Sequence, residues 1–495
     1  MSSPSSPEVL YHAIPQALVN ENHAVVPSDI ELDADGEEAE SGDLALSTVD
    51  PPTLLVDSRI RWIHFVLGCS VLLPWNVIIT ATPFFVSRLE NSPLKRTFSS
   101  YLSVTFTAAN FVFLAHATAV SKQTSPSRQT RITIFSLTIL TFLLTLSTFF
   151  RVAPGIFFTF VLLNGATQAT AGAYLQTSLI AVASLFGPTA VQSMMSGQAA
   201  VAVAVSAVQV ISAAAFLWGK SKELIEAQLK DGSAEERSAF VFFALSTVFL
   251  VVSAAAHTWL VRMPIYRRIA APLEQHKVMR ELGSPHERQA LTSVGRTEFA
   301  DDKAHIMRIA KTNITYHIAV AYVFVVTLAV FPPITVSVQP TNPNTHPLLF
   351  SAAHFLVFNL GDFLGRYICS FPSLLIWSAK RLLTLSLART LFVPLFLMCN
   401  VQRPLSSIPS SPIINSDLLF MLILFAFGLS NGYVSSLCMM SAPSLEHNPR
   451  LKGHKEDVDV AATVASFCLV GGLAIGSVAN FAVRGLVCEC NPFTE

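Results

Sequence analysis

Predominantly apolar runs long enough to cross a hydrocarbon layer recur along this chain at about eleven places: 61–86, 98–121, 131–150, 155–186, 190–218, 239–262, 313–335, 347–371, 382–400, 417–442 and 460–483. Crossing about 30 Å of hydrocarbon takes a helix of about 20 residues. Backbone groups inside lipid have no water to bond, so a run of this length satisfies them within itself as an α-helix. The expected fold is an all-α polytopic membrane protein of about eleven transmembrane helices. Composition agrees, with 52% of residues hydrophobic and 13% charged, where soluble domains carry about 25% charged. Mean hydropathy is +0.53. The stretch 155–218 admits more than one division into helices.

Loop charges orient the spans. The widest polar interval, 263–311, carries Arg267, Arg268, Lys277, Arg280, Arg288, Arg296, Lys303, Arg308 and Lys311, with Arg262 at its edge. Positive-inside bias places it in the cytosol. Six spans before it (59–262) and five after it (312–486) then put the N-terminus in the cytosol and the short tail 487–495 outside or in a lumen. Lys122, Arg128 and Arg131 agree, as do Lys380 and Arg381, and Arg450, Lys452 and Lys455. Arg88, Lys95 and Arg96, and again Lys220, Lys222 and Lys230, argue the other way. Six and five spans around a cytosolic linker suggest two bundles rocking about a central site, although no internal sequence repeat is visible. The odd total departs from the even twelve of the commonest transporter plan.

Residues 1–58 contain no Lys or Arg and carry Asp29, Glu31, Asp33, Asp35, Glu37, Glu38, Glu40 and Asp43. Too few apolar groups are present to offset ordering entropy, so a disordered acidic cytosolic tail is expected, open to phosphorylation. It lacks the basic character of a signal peptide or mitochondrial presequence. Cys69, Cys369, Cys399, Cys438 and Cys468 fall in apolar runs, where a thiol is a small hydrophobe. Neither a disulfide framework nor a zinc site is expected, Cys488 and Cys490 having no further ligands nearby. The uncharged loop 336–346 has the turn chemistry of a short outer connector. Asn313-Ile314-Thr315 matches a glycosylation sequon, but at the cytosolic mouth of the seventh span it reads as chance.

Ionisable groups at membrane depth are costly, by about 2.5–3.5 kcal/mol each on insertion scales, and ask for a partner or a water-filled cavity. Asp362 is the carboxylate well inside a span, and Arg366 follows four positions later on the same helix face. Two readings stand: a self-neutralising packing pair, or a cavity lining that offers acceptor and forked donor to a polar solute. Asn359 adds an amide to that face. In the first run Pro74, Trp75 and Asn76 are adjacent; proline bends the helix, and Trp75 at mid-depth serves either stacking or core packing. Asn164, Gln168 and Gln176, then Ser196, Gly197 and Gln198, interrupt the fourth and fifth spans, and amides there act as interhelical glue or as ligand contacts. Ser430, Asn431 and Tyr433 interrupt the tenth span around Gly432. Arg389 is a second deep cation with three readings: serving Asp362, bonding a carbonyl, or snorkelling to the cytosolic side.

LLPWN at 72–76, MSGQ at 195–198, FNLGDFLGR at 358–366, LART with FVPLF and Cys399-Asn400, and LSNGYVSSL at 429–437 with Ala442-Pro443 together resemble the equilibrative nucleoside transporter family (solute carrier family 29). The resemblance covers about residues 60–486. It implies eleven spans in a six-plus-five, major-facilitator-like arrangement and transport of nucleosides, with nucleobases as a further class. It also implies that Asp362 and Arg366 engage the ribose hydroxyls, that Gln176 in AYLQTS bonds the nucleobase, and that Trp75, Phe331 and Asn359 line the cavity. Pro74, Asn76, Gln198, Arg389 and Asn431 take structural or gating roles. Ala199-Ala200 depart from the family's frequent Gly after MSGQ, which puts fine selectivity in doubt.

No GxxxxGK[ST] motif or catalytic constellation is present, so no ATP, cofactor, metal or enzymatic activity is expected, and no nucleic-acid partner. The solute gradient should drive flux, with proton coupling at Asp362 left open. A sugar or amino-acid carrier shares the physics but lacks the motif set, and a receptor or scaffold does not explain polar groups buried in at least four spans. Asp50, Leu54 and Leu55 match an acidic dileucine signal readable by a sorting adaptor, which leaves vacuolar or lysosomal membrane and plasma membrane as alternatives.

Overall fold

A computed structural model of the protein describes residues 57–89, 92–95, 98–217, 233–272, 274–275, 302–332, 334–342, 345–401 and 412–488. The acidic run, the dileucine pattern, Lys220, Lys222, Lys230 and Cys490 lie outside these residues. Helical segments stand at all eleven apolar places. They are α1 Ser58–Thr80 with α2 Thr82–Ser87, α3 Phe98–Ala119, α4 Pro126–Ser147, α5 Pro154–Leu185, α6 Pro188–Leu217 and α7 Ser233–Arg262. After a short α8 Pro264–Ile269 come α9 Ile314–Val330, α10 Pro347–Ile368, α11 Ala379–Ala388 with α12 Phe392–Leu397, α13 Asp417–Ser441 and α14 Val458–Cys488. Four of the long helices open on Pro, whose missing N–H costs nothing in a first turn. Asp57 caps α1 by accepting from the Arg59 N–H at 3.0 Å. Gly187, at φ +92°, ends α5 and divides the 155–218 stretch.

Nine helices among the described residues are long and apolar enough to cross a membrane. The two other apolar places depart for identifiable reasons. α10 has the length but carries His354, Asn359, Asp362 and Arg366 among its apolar residues. The ninth is not one helix: α11 and α12 are separated by a 3-10 turn at Arg389–Leu391. Pro394 lacks an N–H and its ring crowds the carbonyl four residues back, at Thr390, so the break falls there.

The helix pairings repeat between the two halves of the chain. α1 packs on α6 as α9 packs on α14, and α3 on α5 as α10 on α13. Across the halves α3 meets α14 as α10 meets α6, and α5 meets α14 as α13 meets α6. Each pair maps onto its counterpart when every helix is exchanged for the one six apolar runs away in the other half, so the packing holds a repeat that the residues do not display. Glycines set the closest crossings. A Cβ at Gly361 or Gly365 would collide with backbone of Phe425 and Leu429, and one at Gly428 or Gly432 with carbonyls of Phe358 and Asp362. The α10–α13 seam is thus a reciprocal pair of GxxxG surfaces. Gly68 and Gly197 play the same part between α1 and α6, and Gly472 and Gly476 between α14 and α9.

One of the dissenting loop cations has a structural use. Arg88 donates to the carbonyls of Thr148 (2.8 Å) and Phe150 (3.1 Å) and pairs with Glu236 at 3.3 Å. Burial pushes its guanidinium below the usual arginine range against the raising effect of Glu236. Its charge is consumed in fastening α2 to the α4–α5 link and the start of α7. Asn313 is buried, donating to the Ala442 carbonyl (3.1 Å) and accepting from Asn448 (2.9 Å), so the sequon residue is enclosed by protein.

Candidate functional site

The α10–α13 glycine seam decides where the charged pair sits. Because Gly432 lets α13 lie against the backbone of Asp362, its neighbour Asn431 reaches the carboxylate. Asp362 accepts at Oδ2 from Arg366 Nε (2.9 Å) and at Oδ1 from Asn431 Nδ2 (2.6 Å). Both charged residues are buried, at 7% and 5% exposure. Hydrogen bonds to an ionised acceptor are short and about twice as strong as neutral ones, which is what a carboxylate at this depth requires. Arg366 also donates through Nη1 to the Met195 carbonyl of α6 (3.2 Å), while Gln192 of α6 donates to the Arg366 carbonyl (3.1 Å). The pair is therefore more than self-neutralising: it is tied to α13 and, across the halves, to α6.

Arg389 completes the cluster. It neither snorkels nor meets a carboxylate directly, but lies 2% exposed over the Phe427 ring at 4.6 Å. Its Nη1 donates to the Phe427 carbonyl (3.1 Å) and to Ser430 Oγ, and its Nη2 to Thr327 Oγ1 (2.8 Å) and Asn431 Oδ1 (3.5 Å). Thr327 in turn donates to Asn431 Oδ1 at 2.7 Å. The 3-10 turn between α11 and α12 aims this side chain inward, so the break at the ninth apolar place is part of the site's construction.

The other sequence-predicted residues are spread over several helices, most with a partner of their own. Asn359, one turn before Asp362, donates to Ser206 Oγ of α6 (2.6 Å). Gln176 of α5 donates to Ser466 Oγ of α14 (2.8 Å), a bond between the halves. Trp75 is half-buried against Phe106 of α3, ring centroids 4.3 Å apart. Phe331 stacks on Phe358 of α10 at 4.0 Å. Asn76 donates within its own helix to the Leu72 carbonyl (2.9 Å), beside buried Pro74, and Gln198 is buried on α6. Asn164 and Gln168 are glue: Gln168 donates to Asn164 (2.6 Å), which donates to the Leu140 carbonyl of α4 (3.0 Å). No described contact joins Trp75 or Gln176 to Asp362.

Sequence reasoning missed Thr327, Gln192 and Ser466, and a clasp at one end of the bundle. There Lys122, in the α3–α4 link, contacts His305 at 3.2 Å; His305 Nε2 meets Asp457 Oδ1 at 2.6 Å, and Arg308 donates to both Asp457 oxygens at 3.1 Å. Burial pushes the Lys122 ammonium below the usual lysine range, opposed by the carboxylates of Asp459, Asp302, Asp457 and Glu456. Above the clasp, Phe111 of α3 stacks on Phe467 of α14 at 5.7 Å, next to the Gln176–Ser466 bond. These links between the halves run from the ends where α6 and α14 begin toward mid-depth. The cluster offers an acceptor pair and donor forks in a setting of low water content, suited to holding a polyhydroxylated solute, and brings together no nucleophile, base and orienting group of a hydrolytic kind.

A family model described as Nucleoside transporter matches residues 161–485 of the chain. The chain is 27% identical over 474 residues to equilibrative nucleoside transporter 1 of Rattus norvegicus, covering 86% of this chain and 96% of the relative. Against equilibrative nucleoside transporter 1 of Homo sapiens it is 26% identical over 478 residues, with the same coverage of 86% and 96%. Against equilibrative nucleoside transporter 3 of Rattus norvegicus it is 26% identical over 439 residues, covering 84% and 86%. In fold it is similar to the E. coli fucose:proton symporter, with a TM-score of 0.51 at 14% identity, covering 87% of this chain and 94% of that one.

Proposed function

The chain belongs to the equilibrative nucleoside transporter family, and from that premise we infer that it carries nucleosides across a membrane by alternating access. It is an integral multi-pass membrane protein and a transporter rather than an enzyme. The observation that carries the site reading is the bonding of Asp362: a buried carboxylate held by Arg366 and Asn431, on a helix that Arg366 also ties to α6 of the opposite half. In this reading the pair stays whole and Asn431 stays on Asp362, while Arg366 gives up the Met195 carbonyl and the remaining acceptor and donor positions of Asp362 and Arg366 engage the ribose hydroxyls. Gln176 exchanges Ser466 for the nucleobase, and Trp75, Phe331 and Asn359 line the cavity between them. Substrate binding then replaces contacts between the halves, and residues 59–262 and 312–486 rock as two bundles about the site.

Flux runs down the solute's own gradient, since the sequence has no GxxxxGK[ST] motif through which ATP could drive it. The N-terminus is cytosolic and the C-terminus outside or lumenal; the membrane is the plasma membrane or, if an adaptor reads Asp50, Leu54 and Leu55, a vacuolar or lysosomal one. Purified protein in proteoliposomes should show saturable uptake of uridine and adenosine that is indifferent to an imposed pH gradient, and Asp362→Ala should abolish it. No saturable nucleoside flux in the intact protein would overturn the reading. Uptake that follows the pH gradient would make it a proton-coupled carrier, and competition by sugars or amino acids would move it to another substrate class.

A further inference from the structure

Three buried charges stand together in the second half of the chain, and only two form an ion pair. Asp362 and Arg366 bond directly, whereas Arg389 bonds a carbonyl, two hydroxyls and an amide oxygen through its two terminal nitrogens and lies over an aromatic face, its buried Nε having no hydrogen-bond partner. Burying a guanidinium without an adjacent carboxylate is expensive, and an apolar side chain of similar volume would pack more cheaply. Asn431 shows what the expense secures. An amide has a donor end and an acceptor end; a guanidinium only donates and a carboxylate only accepts. Asn431 lies between Arg389 and Asp362, with Oδ1 facing Arg389 and Thr327 and Nδ2 facing Asp362. Turning the amide over would set its oxygen against the carboxylate and its NH2 against the guanidinium.

We propose that Arg389 is a positioning residue for Asp362, acting through Asn431 and Thr327: it fixes the amide so that Oδ1 of the carboxylate is held in one place for a ribose hydroxyl. The proposal rests on the reading of Asp362 as the ribose acceptor. It requires that loss of Arg389 weaken recognition of the ribose hydroxyls in particular, rather than transport in general.

The test compares uptake of uridine and 2′,3′-dideoxyuridine in proteoliposomes, expressed as the ratio of Vmax/KM for the two solutes, with protein amounts matched. In the intact protein the ratio is expected at about tenfold or more, the worth of one hydrogen bond to a charged acceptor. Arg389→Gln and Asn431→Ala should each bring it below about threefold, and the double variant should go no lower than either single, because both act on one route. Thr327→Val removes one hydroxyl at nearly constant volume and should lower the ratio partway, which serves if Arg389→Gln does not fold. A wild-type ratio in Asn431→Ala and Thr327→Val, with uptake of both solutes reduced in parallel, would make the network structural and overturn the proposal. A wild-type ratio in Asp362→Ala would instead overturn the ribose reading beneath it.

Discussion

Replacing Asp457 by Asn removes a charge from a position with no exposed surface, at the end of the bundle where Lys122, His305 and Arg308 converge. The carboxylate accepts from His305 at 2.6 Å and from Arg308 at 3.1 Å. An asparagine keeps one acceptor and turns a donor toward the other partner, so one contact is lost and the remaining one is no longer charge-assisted. The Arg308 side chain is 53% exposed, which holds its share to about 0–1 kcal/mol. The His305 contact is mostly enclosed and is worth about 1.5–3 kcal/mol. The loss is thus about 1.5–3 kcal/mol, and because His305 is the group that Lys122 of the other half contacts, it shifts the ratio of open to closed forms of that end by about 10- to 150-fold. A cysteine placed at Ala465, which is 1% exposed in the core beneath the clasp, reports opening through its rate of modification by a charged thiol reagent. The rate with Asp457→Asn should exceed that of the same cysteine variant with Asp457 intact by this factor, and native cysteines cancel in the comparison. Lys122→Gln, which removes the partner from the other half, should give a smaller rise of about 1.5- to 5-fold. Rates within threefold of each other would refute the idea that Asp457 holds the halves together.

Arg366→Lys should lower Vmax/KM for uridine by about 10- to 100-fold, because one ammonium cannot reproduce the fork that meets Asp362 and the Met195 carbonyl together; a near-wild-type value would reduce Arg366 to a point charge. Gly432→Val should push α13 off the Asp362 backbone and remove both folded protein and uptake, while Gly471→Ala, where nothing lies within 4 Å of the added carbon, should leave detergent stability and uptake unchanged. Arg88→Gln should lower the melting temperature in detergent by a few degrees, about that expected for losing one partly buried ion pair and two carbonyl bonds, without changing the KM for uridine.

Lipid makes the helices of such a chain legible, since a run of apolar residues has one way to satisfy its backbone, and all eleven places carry helical segments. What the run does not show is continuity. Pro394 was in view, but the break at Arg389 becomes meaningful only when Thr327, Phe427 and Ser430 surround that side chain. Thr327 was invisible because hydroxyls in apolar helices mostly bond their own turn, as Thr327 also does to the Val323 carbonyl at 2.7 Å. Its second bond, to Asn431, depends on a crossing between helices a hundred residues apart. Asp457 was passed over for a related reason: it stands at the mouth of a span among lysines and acids, where charges are ordinarily solvated, and only tertiary packing takes it out of water. The repeat of helix pairings lay beyond reach because close packing needs small residues somewhere along a seam, not the same residues at the same places. Gly68 and Gly197 close the α1–α6 seam from one helix each, whereas Gly472 and Gly476 close the α9–α14 seam from α14 alone.

That repeat sharpens the asymmetry of the chemistry placed upon it. In the first half α3, α5 and α6 contain no Asp, Glu, Lys or Arg at all, while their counterparts α10 and α13, with the turn before α12, hold Asp362, Asn431 and Arg389. The first half answers with neutral groups: the Met195 and Ala202 carbonyls, the Gln192 amide, Ser206 and Gln176. A charge that faces neutral partners can leave them at modest cost, whereas separating two opposite charges across the same gap would cost several kcal/mol. The ion pair is therefore kept whole inside one half, and the surface along which the halves must part is made of single hydrogen bonds that water or a hydroxylated solute can replace. Among the described residues Lys122 also bonds His305 across that surface, at its end, with the carboxylates of Asp459, Asp302, Asp457 and Glu456 acting on its charge.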